Sequence, residues 1–88
     1  MGYAMAGDSN GYIYLLDLAN KARLTKLDTK ERRSILEINM QVLNYGEKKA
    51  ILFFVVYLGK YEVDCFLMFS HELIVVRKVF SFGKPYKV

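Results

Sequence analysis

Tryptophan is absent from this chain, and cysteine, histidine and proline occur once each, as Cys65, His71 and Pro85. A lone cysteine cannot close an intrachain disulfide, which excludes the disulfide-stapled secreted scaffolds. Cys65 and His71 are too few ligands for a zinc site, so neither metal nor cofactor is expected. No basic-then-apolar leader opens the sequence. The longest apolar run, residues 50–58, ends at Gly59 and is less than half of the roughly 20 residues a membrane helix requires. These absences point to an intracellular, cytoplasmic or cytoskeleton-associated setting without a membrane partner. At 88 residues the chain is one small domain's worth, which excludes a multidomain enzyme.

What is present is globular in character. Hydrophobic residues make up 53% of the chain, and seven tyrosines with six phenylalanines supply bulk for a core. Residues 36–42 alternate strictly, with Leu36, Ile38, Met40 and Val42 on one face and Glu37, Asn39 and Gln41 on the other. Residues 51–58 are apolar on both faces and rich in β-branched and aromatic types, the pattern of a central strand covered on both sides. A tight turn at Gly59-Lys60 leads into a strand over 62–69. A second turn at Ser70-His71-Glu72 leads into one over 73–82. With a longer loop at 44–49, these segments predict a four-stranded antiparallel meander.

The first third of the chain admits two readings. Residues 12–27 fit an amphipathic helix capped near Asp8, Ser9 or Asn10, with Ile13, Leu16, Asn20 and Leu24 on one stripe. Asn20 breaks that stripe, and Gly11 occupies the first turn. The alternative is a pair of strands. Asp8-Ser9-Asn10-Gly11 is a turn cluster whose Asn-Gly step tolerates positive φ, and Tyr12-Ile13-Tyr14-Leu15-Leu16 has strand composition. The local chemistry favours strands.

The segment Ala4-Met5-Ala6-Gly7-Asp8-Ser9-Asn10-Gly11-Tyr12-Ile13-Tyr14-Leu15-Leu16-Asp17-Leu18 resembles the middle of a WD-repeat blade. Leu16-Asp17 stands in the Trp-Asp place, and residues 23–27 would form the blade's outer strand. The resemblance implies an all-β fold of antiparallel four-stranded blades in a partial β-propeller. Residues 1–33 would be an incomplete first blade with its inter-blade linker, and residues 34–88 a second four-stranded blade. Small residues let strands crowd near a propeller axis, and glycine-containing turns permit the hairpins. Propellers have typically four to eight blades, so the chain is expected to be a segment of a larger one. The rival architecture is α+β, with a helix over 12–27 packed on the meander.

Chemical candidates are sparse. His71 beside Glu72 could serve acid–base chemistry, but a turn histidine next to a carboxylate is ordinarily just solvated. Cys65 alternates with Val63 and Leu67 and reads as a small hydrophobe. Asp8 and Asp17 belong to turns, because the oxygen ladder of a calcium loop breaks off at Gly11 and Tyr12. Charge is unevenly placed along the chain. Residues 21–33 carry Lys21, Arg23, Lys26, Lys30, Arg32 and Arg33 against Asp28 and Glu31, a local excess of +4 that equals the net charge of the whole chain. A possible interaction surface is therefore assigned to Asp8, Asn10, Lys21, Arg23, Arg32, Arg33, Lys48 and Lys49, on blade rims and loops.

These features predict a non-enzymatic protein–protein interaction scaffold, a propeller segment within a larger assembly. Its partners would be other subunits or further blades, and the isolated chain would self-associate. The alternative function is a small basic nucleic-acid-binding or ribonuclease-toxin-like α+β domain using Arg32, Arg33 and His71. Nucleic acid is the less favoured partner, since mild charge with interspersed acids is more often a solvated face.

Overall fold

In the computed structural model the described residues are 2–70 and 74–83, and they form antiparallel strands without a helix. The strands are β1 (Tyr3–Gly7), β2 (Tyr12–Asp17), β3 (Ala22–Asp28), β4 (Ile35–Tyr45), β5 (Lys48–Tyr57), β6 (Glu62–Ser70) and β7 (Ile74–Gly83). They make a three-stranded sheet in the order β1-β2-β3 and a four-stranded sheet in the order β4-β5-β6-β7. The fold is all-β.

The helix over 12–27, and with it the α+β architecture, is overturned. β2 and β3 divide that segment, pairing Tyr14 with Lys26 and Ile13 with Leu27. Turn chemistry decided the outcome locally. The Asp8 Oδ1 atom accepts the backbone N–H groups of Asn10 and Tyr12, each at 2.9 Å, and Gly11 takes φ 86°. Of the Asn-Gly pair, Gly11 alone adopts positive φ. At the next turn the Asp17 carboxylate accepts from the backbones of Ala19 and Asn20 and from the Asn20 side chain. Each aspartate thus substitutes for backbone partners in reversing the chain, and a helix through either turn would forfeit those bonds.

The core lies between the sheets. Ile13 and Leu15 of the first sheet pack with Ile51, Phe53, Val55, Tyr57, Phe66 and Met68 of the second, all buried. Phe53 and Phe66 stack with ring centroids 5.2 Å apart. Tyr3, Met5, Leu27, Ile35, Ile38 and Met40 close the rim of this core. A backbone bond also ties the sheets together, from Ile35 N–H to the Asp8 carbonyl, and the bond from Leu58 N–H to the Ser34 carbonyl extends the β4–β5 ladder.

Three sequence expectations change in detail. Leu36 leaves the apolar face of β4, because a register shift between Ile35 and Glu37 lets Ile35 turn inward instead and leaves Leu36 58% exposed. The loop expected over 44–49 contracts to a turn at Gly46-Glu47, where Gly46 has φ 64°, so Lys48 and Lys49 belong to β5. Finally, β5 is central as expected, yet its two faces differ. Ile51, Phe53, Val55 and Tyr57 are buried, whereas Leu52, Phe54 and Val56 on the opposite face are half-buried. Of the turn expected at residues 70–72, Ser70 ends β6, and His71 and Glu72 lie outside the described residues.

Candidate functional site

The outer face of the first sheet gathers the basic residues around two aromatic rings. Strand alternation sends Ile13 and Leu15 into the core and turns Tyr12, Tyr14 and Leu16 outward. On either side of Tyr14 the register places Ala6 and Lys26, and on either side of Leu16 it places Ala4 and Arg23. A register shift between Leu15 and Leu16 sets Arg23, rather than Leu24, opposite Leu16. Two residues then oppose one, as in a β-bulge, and a cation joins the tyrosine face where a leucine would otherwise stand.

The cations are seated on the rings. The Lys26 ammonium lies 4.3 Å from the Tyr12 ring centroid and 5.9 Å from that of Tyr14. The Arg32 guanidinium sits 5.0 Å from the Tyr12 centroid, and that of Arg23 sits 5.4 Å from the Tyr14 centroid. All are within the range where the ring quadrupole attracts a cation. Arg32 is further fixed by a bidentate pair with Asp28, at 2.9 Å for each bond, and by the Asn10 carbonyl at 3.1 Å. This pairing draws the Asp28 carboxyl down to about 2 and raises Arg32.

Asp8 organises the other end. Its Oδ2 accepts the Tyr14 hydroxyl at 3.1 Å while Oδ1 closes the turn. The backbone bond from Tyr12 is the largest cause holding its carboxyl below the ordinary range. Tyr14 is raised, first by desolvation and then by its bond to Asp8. Among the described residues Arg23 and Lys26 have no carboxylate within ion-pair distance, whereas Arg32 has one.

Of the residues assigned from sequence, Asp8, Asn10, Arg23 and Arg32 therefore meet at one surface. The others do not join them. Lys21 is in the β2–β3 turn at φ 53°. Arg33 points to the Leu58 carbonyl and to Glu31 in the link between sheets. Lys48 and Lys49 begin β5, and the Lys49 ammonium lies 5.6 Å from the Tyr3 ring centroid beside a cleft shared with Asp17 and Asn44. Tyr12, Tyr14 and Lys26 were not marked as site residues from the sequence. Their alternation with Ile13 and Leu15 was the available signal, and it required knowing that 12–16 is a strand.

A second polar cluster is buried. Asp64 is 0% exposed and accepts the Tyr57 hydroxyl at 2.7 Å and the Ser81 hydroxyl at 2.6 Å, with Lys78 at 3.8 Å and Lys60 at 4.0 Å. Desolvation is the largest cause raising Tyr57, followed by its bond to Asp64. The carboxylate is satisfied by these partners, and Asp64 and Tyr57 are fully enclosed, so the cluster ties β5, β6 and β7 of the second sheet and keeps its carboxylate and phenol from solvent. Cys65 is buried and burial raises its thiol, the opposite of an activated nucleophile. His71 lies outside the described residues. Among the described residues no three of His, Cys, Asp and Glu are placed to hold a metal, and no helix is long and apolar enough to cross a membrane.

No family model, curated protein or solved structure matches this chain.

Proposed function

We propose that this chain is a non-enzymatic interaction scaffold: a pair of adjacent WD-like blades whose second sheet docks a further β-sheet of a larger protein assembly. The observation that supports this reading is the outer face of the second sheet. Register places Leu52, Phe54 and Val56 of β5 beside Leu67, Cys65 and Val63 of β6 on that face, with Phe69 continuing the row. Leu52, Phe54, Val56 and Leu67 are half-buried and Phe69 is 42% exposed, whereas Cys65 and Val63 in the same row are buried. A contiguous apolar row on a sheet marks an interaction surface. The inner face of the same two strands is apolar apart from Asp64 and is covered by a sheet of this chain. A second sheet on the outer face would repeat that packing, which is how stacked blades bury their faces.

The occupant is argued from chemistry: flat, apolar and strand-lined surfaces are complementary to another sheet. Isolated chains should use a second copy in its place. Light scattering on the isolated chain is expected to give a mass above the 10.2 kDa of one chain. Leu67→Lys with Phe69→Lys is expected to return it to a monomer whose melting is nearly unchanged, because both side chains are partly in water. A monodisperse wild-type monomer would contradict the reading.

A further inference from the structure

The outer faces of the two sheets are chemically unlike. That of the second is apolar across β5 and β6, whereas that of the first presents Tyr12 and Tyr14 with Arg23, Lys26 and Arg32 around them. A face meant to be covered by another apolar sheet would bury these cations at a desolvation cost of several kcal/mol each. The first sheet is thus suited to end a stack and to keep its outer face in water.

We infer that this tyrosine–cation face binds single-stranded nucleic acid. Charge complementarity selects an anionic partner. Arg32 and Asp28 neutralise each other, and the Asp8 carboxylate is engaged by two backbone N–H groups and the Tyr14 hydroxyl. Arg23 and Lys26, without ion-pair partners among the described residues, supply positive charge that exceeds the single Asp8 carboxylate on this face. The rings select among anions. An acidic peptide would gain only from the cations, whereas nucleobases stack on tyrosine faces and on guanidinium planes. Arg23 and Lys26 rest on the tyrosine rings in the free chain, and on binding they would move to phosphates and leave ring surface to the bases, while Arg32 stays paired with Asp28. Lys26 would swing from the Tyr12 ring to a phosphate, exchanging one cation contact for another. The face is a sheet surface, and among the described residues there is no helix to enter a duplex groove, which favours the single strand. Ala4 and Ala6 beside Leu16 and Tyr14 keep it low and open.

The test is fluorescence anisotropy of the full chain titrated into a labelled thymidine oligomer of about 12 nucleotides. Saturable binding is expected at low salt. With two phosphate contacts, affinity should fall roughly 7-fold between about 50 and 200 mM salt. Arg23→Gln with Lys26→Gln, at exposed positions, should lower affinity at least about tenfold and nearly abolish the salt dependence. Lys48→Gln with Lys49→Gln, on the β4–β5 hairpin, removes the same charge elsewhere and should change affinity less than about twofold. Tyrosine fluorescence of the wild type should be quenched on binding, a readout that charge attraction alone would not produce. Four results would overturn the inference: no saturable binding at low salt, equal losses for the two double variants, no quenching, or equal affinity for an oligoglutamate of matched charge. None of them bears on the apolar face of the second sheet, whose test is the mass of the particle.

Discussion

Single residues decide the reversals of this chain, and Gly11 is the sharpest case. Its φ of 86° lies where side chains are strained, and a Cβ there would be driven into the Glu31 carbonyl. The Gly11 carbonyl also accepts both the N–H and the hydroxyl of buried Thr29, at 3.2 and 2.6 Å, so the turn is clamped to the inter-sheet link. Gly11→Val should therefore destabilise by about 2–4 kcal/mol, measured by urea unfolding. A neutral result would mean that the turn reforms elsewhere. The aspartates at the turns set a pH dependence. The Asp8, Asp17 and Asp28 carboxyls are depressed in the fold, Asp28 to about 2. A depressed carboxyl contributes stability that is fully present above its unfolded value of about 3.9 and is lost as pH falls through the folded value. The urea midpoint should thus hold above about pH 4 and decline toward about pH 2. Asp28→Asn should lower the plateau and shallow that decline. An unchanged acid limb in that variant would assign it to other groups.

At the scale of elements, β5 was readable as the central strand because eight apolar residues in succession leave no wet face. Which face lies deepest was not readable, since both carry branched and aromatic side chains. The packing of the first sheet onto the second chose the face of Phe53. Phe53→Ala should cost about 3–5 kcal/mol, as for a fully enclosed ring, and Phe54→Ala less than about half of that. Equal costs in calorimetry or urea unfolding would show that the outer face is as well covered as the inner. The bulges were equally hidden. Strict alternation over 36–42 placed Leu36 inward, and one extra residue in the register reversed it. The same device brought Arg23 to the tyrosine face, so one cation of the candidate site depends on a shift that periodicity does not encode.

At the scale of the whole molecule, the two sheets share one core and should unfold together. Ile13 and Leu15 have no other buried partners of comparable bulk in their own sheet, whose β3 is largely exposed. Leu15→Ala should remove about 2–5 kcal/mol from hydrogen-exchange protection in β5 and β6 as well as in β2. Loss confined to the first sheet would show that the second is stable alone.

The sequence by itself favoured the all-β class over the α+β alternative, and it indicated the turns at Asp8–Gly11, after Asp17 and at Gly59 and the strand character of 51–58. Each rests on interactions between residues close in the chain: a carboxylate capping the next N–H groups, a glycine at positive φ, or an unbroken apolar run. Tertiary structure decided which face of β5 is buried, that Asp64 finds Tyr57 and Ser81, and that Tyr12, Tyr14, Arg23, Lys26 and Arg32 converge. Those outcomes depend on register between strands and on the sheet that covers them. A register shift of one residue moves side chains from core to water without altering local sequence chemistry.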